Sequence, residues 1–113
     1  MATSARWSRW SPFPDPTNHG ILAAPFGPGV YELRRSDDRR RILCGQSKNV
    51  AVRMGSLLPP PLGQGNRNNR DKSRYVHRHL EQVHYRTRAT KSVAEAKQIE
   101  RLMRSTHVYI FVT

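Results

Sequence analysis

The sequence is poor in residues that build several common kinds of site. Cys44 is the only cysteine among 113 residues, so the chain can form neither an internal disulfide nor a cage of several thiolates around a metal. A single cysteine is compatible with a reducing compartment. No apolar run approaches the roughly 20 residues that a bilayer-spanning helix needs. Composition therefore argues against a disulfide-stapled domain, a thiolate zinc site and a membrane span.

Acidic residues are scarce as well. Eight Asp and Glu stand against 20 Lys and Arg, which leaves a formal net charge of +12. A chain of 113 residues makes one domain with a small core, so most of this charge must lie on the surface. A small, strongly basic domain most often binds phosphate, on a nucleic acid or on an anionic surface. The alternative is a charged surface that only keeps the protein solvated.

The stretch after residue 28 predicts a β-hairpin. Residues 29–33 alternate in part between apolar and polar side chains, as a half-buried strand does. Residues 36–38 read Ser-Asp-Asp, which is typical of a turn. Residues 42–44 form a second apolar run, and Gly45 follows it. Two short strands joined by a charged turn are therefore expected here.

A helix over residues 49–58 is predicted to follow the hairpin. Ser47 or Asn49 can cap its amino end, and the three prolines that begin at Pro59 cannot continue it. Residues 59–70 are rich in Pro, Gly, Asn and Gln, which predicts a loop. A loop of this length in a small domain is usually either functional or disordered.

Four more segments complete the chain. Residues 71–82 place their apolar side chains near one face of a helix. Residues 83–89 alternate apolar with basic side chains, which predicts a strand with one basic face. Ser92 followed three residues later by Glu95 predicts a capping box at the start of a last helix. Residues 107–112 predict a short terminal strand.

This order of elements predicts an α+β fold, with a small three-stranded antiparallel sheet flanked by about three helices. Residues 26–106 are the expected core. Residues 1–25 are expected to form an irregular arm, whose Trp7 and Trp10 either cover the sheet edge or stack on a base or a partner. Residues 107–113 form an extended segment that adds an edge strand or pairs with another chain.

Two short motifs in the hairpin resemble the signature of a known family. Residues 29–31 read GVY and residues 43–45 read LCG, which is similar to the paired motif of the GIY-YIG nuclease domain. In that family an arginine follows on the first helix, and Arg53 matches it. A metal-binding glutamate lies on a later helix, and Glu100 matches that position. The resemblance covers about residues 26–104, in the order and at the separations of the family.

The resemblance implies a metal-dependent endonuclease that hydrolyses phosphodiester bonds in DNA. It implies that Glu100 binds Mg²⁺ or Mn²⁺, that Arg53 binds phosphate and that Tyr31 activates or positions water. One carboxylate with several waters is a binding mode that Mg²⁺ accepts. Tyrosine has an ordinary pKa of about 10, which is too high for a base at neutral pH, so nearby positive charge would have to lower it.

Two positions depart from the family pattern. The second motif tyrosine falls at Leu43, which has no hydrogen-bonding group, and the lysine often found after the motif glycine falls at Gln46. These departures favour, as the alternative, a catalytically weak or inactive GIY-YIG fold that binds DNA or RNA. A third interpretation is a basic RNA-associated protein in which GVY is a coincidence.

Basic side chains near the motif residues are predicted to contact nucleic-acid phosphates. They are Arg39, Arg40, Arg41, Lys48, Arg53, Arg70, Lys72, Arg74, Arg86 and Arg88. The expected partner is DNA, with RNA as the alternative, and a homodimer or a partner protein would add specificity. The expected location is the cytoplasm, nucleoid or nucleus and not a membrane, with an organelle transit peptide in the first 14 residues as the alternative.

Overall fold

A computed structural model describes residues 6–14, 22–55 and 70–111 of the chain. In these ranges the strands are β1 (Ser11–Pro12), β2 (Gly29–Arg35), β3 (Arg41–Ser47) and β4 (Val83–Ala89), and the helices are α1 (Val50–Gly55), α2 (Arg70–Arg78) and α3 (Val93–Thr106). A short 3₁₀ helix at Leu80–Gln82 precedes β4.

The strands form one antiparallel sheet in the order β1-β4-β2-β3. The predicted α+β fold is confirmed, but the sheet has four strands and not three. The additional strand is β1, which pairs Ser11 with Tyr85 and Pro12 with His84 on β4. The prolines of the arm indicated irregular structure, yet proline is tolerated in an edge strand because one side of that strand needs no donor.

Alternation along β2 sends successive side chains to opposite faces of the sheet. Tyr31 and Leu33 belong to one core cluster, which Met54 of α1 and Val76 of α2 complete. Val30 belongs to a second cluster on the other face, which Cys44 shares with three further buried residues. These are Ala96 and Met103 of α3 and Tyr109 of the C-terminal segment. The sheet is therefore covered on both faces, by α1 and α2 on one and by α3 on the other.

The C-terminal segment runs beside β3 without forming the predicted regular strand. The backbone N–H of Ile110 donates to the carbonyl of Arg41 at 3.1 Å, and that of Phe111 donates to the carbonyl of Ile42 at 2.9 Å. These two hydrogen bonds cover part of the outer edge of β3, so this edge is not left open to another chain there.

The predicted helices differ from the observed ones at their ends. The helix expected over residues 71–82 stops at Arg78, and its last part is the 3₁₀ turn. Residues 56–58 of the first predicted helix and residues 59–69 of the loop lie outside the described ranges. Over the described part of the chain, no helix is long and apolar enough to span a membrane.

Candidate active site

Tyr31 lies against Gly45, its direct partner across the β2–β3 ladder. A Cβ atom added at Gly45 would lie 2.6 Å from the Cζ atom of the Tyr31 ring and closer still to the hydroxyl oxygen. No side chain fits between them, since real Cβ atoms do not approach another heavy atom so closely. The glycine of LCG therefore leaves the space in which the phenol of GVY lies.

The first helix carries Arg53 beside this tyrosine. Its amino end is capped by Asn49, whose Oδ1 accepts a hydrogen bond from the N–H of Val52 at 3.2 Å. Val50 and Met54 point into the core and are fully buried, which leaves Arg53 on the exposed side. The guanidinium of Arg53 is close enough to Tyr31 to lower the pKa of its hydroxyl. Of the two predicted caps, Asn49 is the one that caps the helix.

The last helix carries Glu100. The predicted capping box is confirmed in part: Ser92 Oγ accepts from the N–H of Glu95 at 3.1 Å, whereas the Glu95 carboxylate accepts from Lys91 rather than from Ser92. Two turns further on, Glu100 is mostly buried, with 19% of its side chain exposed. Its Oε2 atom pairs with Arg104 Nη2 at 3.3 Å.

The second helix brings Lys72 to the same place. Burial lowers the pKa of Lys72, and the positive charges of Arg53 and Arg104 lower it further, while Glu100 opposes them. Side chains from four elements, β2, α1, α2 and α3, therefore lie close enough to affect one another's pKa values. We call this group the Tyr31 cluster; its members are Tyr31, Arg53, Lys72, Glu100 and Arg104.

Burial dominates the chemistry of Tyr31. It raises the pKa of the hydroxyl to about 12; Arg53 opposes the rise, and Glu100 adds to it. The expectation that nearby positive charge would lower this pKa is therefore wrong in its net direction, because loss of hydration outweighs the arginines. At neutral pH the phenol keeps its proton, so it is able to donate a hydrogen bond and is a poor base.

A pocket of about 270 Å³ lies beside Glu100. Its lining residues are Gln46, Lys97, Glu100, Arg101 and Arg104. One carboxylate in an open pocket among polar and charged residues fits a magnesium ion, which keeps several of its waters. Among the residues that line this pocket, Glu100 is the one with a carboxylate. No group of three or more His, Cys, Asp or Glu side chains gathers in the described ranges.

The two departed motif positions have different surroundings. Leu43 is 1% exposed and packs in the core with Leu33 and Tyr31, so an apolar side chain fills the place of a phenol. Gln46 instead lines the pocket beside Glu100. The amide of Gln46 can therefore hydrogen-bond in the site, although it brings no positive charge.

The residues predicted to contact phosphate lie in different parts of the structure. Lys72 joins Arg53 in the Tyr31 cluster, and Lys48 and Arg74 are exposed. Arg70 begins α2, but its side chain lies outside the described part of the structure. The remaining residues, Arg39, Arg40, Arg41, Arg86 and Arg88, lie at the hairpin turn or on β3 and β4, outside that cluster.

A buried carboxylate, which no sequence pattern indicated, lies among the arginines outside the Tyr31 cluster. Glu32 is fully buried; its Oε1 accepts from Arg86 Nε at 2.9 Å, and its Oε2 accepts from Tyr109 Oη at 2.6 Å. Arg41 also pairs with Oε2. The sequence pattern predicted only a half-buried strand at residues 29–33; the face that carries Glu32 is covered by α3 and the C-terminal segment. Arg41 and Arg86, which are both partly exposed, therefore form ion pairs with a buried carboxylate.

Comparisons with known proteins give one informative result. No protein family model matches the chain, and no curated protein matches it significantly. Among solved structures, the chain is similar to the GIY-YIG N-terminal endonuclease domain of UvrC from Thermotoga maritima, solved with its catalytic divalent cation, magnesium. The TM-score is 0.62 at 20% identity, and the match covers 89% of this chain and all of that domain. The chain therefore has the fold of the GIY-YIG endonuclease domain, the fold that the resemblance of its motifs implied.

Proposed function

We propose that this chain is a metal-dependent endonuclease that hydrolyses phosphodiester bonds in DNA at the Tyr31 cluster. The observation that carries the proposal is the convergence of a carboxylate and three cationic side chains with the phenol of Tyr31, whose ring packs against the motif glycine Gly45. The fold in which they converge is that of a domain described as an endonuclease with a catalytic magnesium ion. At 20% identity the comparison shows the fold, and the activity is what we propose.

The positive side chains bind and orient the scissile phosphate. The planar guanidinium of Arg53 can hold two phosphate oxygens at once, and Lys72 adds a point charge from α2. Such fixed charges stabilise the phosphate most where negative charge develops in the transition state. Glu100 holds the metal, which when bound supplies further stabilisation of that charge.

Tyr31 acts as a hydrogen-bond donor in this scheme. Because its pKa is raised to about 12, the hydroxyl keeps its proton at neutral pH. It can therefore hold the attacking water or a phosphate oxygen in line for displacement, but it does not remove a proton. Its position over Gly45 is fixed by packing, so little conformational freedom is lost when substrate binds.

A second function is favoured by two features of the site. Leu43 offers no polar group where the family has a tyrosine, and Arg104 pairs with the only carboxylate in the Tyr31 cluster. Both features suit a GIY-YIG fold that binds DNA or RNA and does not cut it. In that case the cationic side chains still bind phosphate, and the metal is not needed.

Cleavage of a nucleic-acid panel separates the two functions. The panel holds duplex, single-stranded and branched DNA together with RNA, each with Mg²⁺, Mn²⁺ or EDTA. We expect metal-dependent cutting of DNA that Glu100→Gln abolishes and that Glu81→Gln retains, since Glu81 is exposed on the 3₁₀ helix. Binding without cutting by the unaltered protein would support the binding module instead. If the protein neither bound nor cut any member of the panel, both functions would be contradicted.

A further inference from the structure

A second basic surface lies on the face of the sheet opposite to Tyr31. Arg34 and Arg86 are on this face, because Arg86 is the cross-strand partner of Glu32 and Arg34 follows Glu32 by two residues. The N-terminal arm runs beside it: Ser8 N–H donates to the carbonyl of Thr87 at 2.8 Å. The same face carries α3, the helix with Glu100.

The two tryptophans of the chain stack on these arginines. The guanidinium carbon of Arg86 lies 4.3 Å from the ring centre of Trp7 and 4.6 Å from that of Trp10, and that of Arg34 lies 4.1 Å from Trp10. Each distance is within the range of a cation–π contact. The tryptophans therefore hold the planes of two guanidinium groups in fixed orientations, a role that neither sequence interpretation of them anticipated.

This surface holds more positive charge than the protein neutralises. Arg39, Arg41 and Arg86 all lower the pKa of Arg34, and its own burial lowers it most. Glu32 opposes them, but it already pairs with Arg41 and Arg86, so one carboxylate faces the charge of four guanidinium groups. The Nε atom of Arg34 is buried and has no hydrogen-bond partner within the described ranges. A bound anion would offset this repulsion.

The guanidinium groups can be reached from solvent. The side chain of Arg86 is 23% exposed, that of Arg34 is partly exposed, and Arg39 is exposed at the hairpin turn. A guanidinium that stacks on an aromatic ring still presents its edge N–H groups to an acceptor. Oriented edges of several arginines suit a chain of phosphates better than a single small anion.

We propose that Trp7, Trp10, Arg34, Arg39 and Arg86 form a second nucleic-acid surface, which binds the DNA backbone outside the cleavage site. The class of ligand rests on the proposed function. The tryptophans orient the arginines, and the arginines bind phosphate, so the surface recognises the backbone and not the bases. It lies beside α3 and extends the length of DNA that the protein contacts.

Tryptophan fluorescence tests the surface separately from catalysis. Both tryptophans of the chain lie in it, so emission excited at wavelengths that tyrosine does not absorb reports on this surface. The probe is a single-stranded oligodeoxythymidine, titrated in EDTA so that no cleavage occurs. We expect the emission to change on binding. Unchanged emission at saturation, measured by the anisotropy of a labelled strand, would overturn the proposal whether or not the protein cuts DNA with magnesium.

Salt dependence identifies the phosphate contacts. Each contact to single-stranded DNA contributes about 0.7 to the slope of log K against log salt. Arg34→Gln and Arg39→Asn should each lower the slope by about that amount and weaken binding several-fold. Arg78→Gln, which removes the same charge from an exposed position on α2, is the matched control. Equal slopes for Arg34→Gln, Arg39→Asn and Arg78→Gln would contradict the proposal.

The choice of Arg39→Asn and one further measurement complete the test. Arg39 has a φ of 62°, a conformation that asparagine accepts well, so Arg39→Asn removes charge with little risk to folding even if Arg34→Gln fails to fold. A strand of abasic sugar-phosphate units should compete with oligodeoxythymidine for binding and give the same change in emission. Failure of the abasic strand to compete would show recognition of bases and overturn the assignment to phosphate.

Discussion

The phenol of Tyr31 occupies the space where a side chain at Gly45 would begin. The two residues face each other across the β2–β3 ladder, and an added Cβ would lie 2.6 Å from the Tyr31 Cζ atom. This contact explains why one motif residue is a glycine and the other an aromatic. It also links folding to chemistry, because anything that fills position 45 must move the hydroxyl.

Gly45→Ala should destabilise the protein and displace Tyr31. The new methyl group would overlap the phenol, and overpacking of this kind typically costs about 1–3 kcal/mol. The free energy of unfolding, measured with denaturant, checks the cost. Gly55→Ala at the end of α1 is the control, because a Cβ there meets no atom of the described residues within 4 Å. Equal stability for the two variants would contradict the contact.

Tyr31 should make stability depend on pH above its ordinary titration range. Its pKa is raised from 10.0 to about 12 by burial, with Arg53 and Arg104 opposing and Glu100 and Cys44 adding to the rise. The stability linked to this raised pKa is fully present at pH values below the pKa of Tyr31 in the unfolded chain. It is lost as the pH rises towards the pKa of Tyr31 in the folded protein. We expect the unaltered protein to lose about 2 kcal/mol relative to Tyr31→Phe between pH 9 and 12. If the unfolding free energies of the unaltered protein and Tyr31→Phe changed in parallel over this pH range, the raised pKa of Tyr31 would be contradicted.

Glu32→Gln should be among the most destabilising polar substitutions in the chain. It leaves Arg41 and Arg86 without their buried counter-charge, and breaking a buried ion pair by removing one partner costs about 3 kcal/mol or more. Tyr109→Phe removes only the hydroxyl that donates to Glu32 at 2.6 Å, so its cost should be smaller, about 2 kcal/mol. Denaturant unfolding compares both with Glu81→Gln, which should change stability by less than about 0.5 kcal/mol.

Local patterns were sufficient to predict most of the elements. The alternation of residues 83–89 and the capping serine at Ser92 each depend on neighbours in the sequence, and both correspond to observed features. Glu32 was not predictable in this way, because its burial depends on α3 and on Tyr109, which is 77 residues away. Strand β1 likewise exists only because β4 offers it an edge.

The candidate site shows the same division. Tyr31, Arg53 and Glu100 followed from the family resemblance, since the motif fixes their order and spacing. Arg104 is not part of the motif, yet it lies in the Tyr31 cluster and affects both Tyr31 and Lys72. Whether burial or charge controls the pKa of Tyr31 depends on packing around the ring, which a sequence does not give.

Metal binding at Glu100 should be coupled to DNA binding. Arg53, Lys72 and Arg104 stand around one carboxylate, so a divalent cation entering the free protein meets net positive charge. A bound phosphate neutralises part of that charge. We therefore expect DNA to tighten Mn²⁺ binding by tenfold or more, a coupling of about 1.4 kcal/mol or greater. Loss of the free Mn²⁺ electron paramagnetic resonance signal measures this, in a Tyr31→Phe background that suppresses cleavage, with DNA alone subtracted.

Two variants locate the coupling at this carboxylate. Glu100→Gln should abolish the protein's Mn²⁺ binding both with and without DNA. Arg104→Gln should instead tighten Mn²⁺ binding to the free protein several-fold, because it removes the ion pair that competes for Glu100 at 3.3 Å. Linkage requires that Mn²⁺ tighten DNA binding by the same factor that DNA tightens Mn²⁺ binding. If the Mn²⁺ affinity changed neither on addition of DNA nor in Arg104→Gln, the ion would bind somewhere other than Glu100.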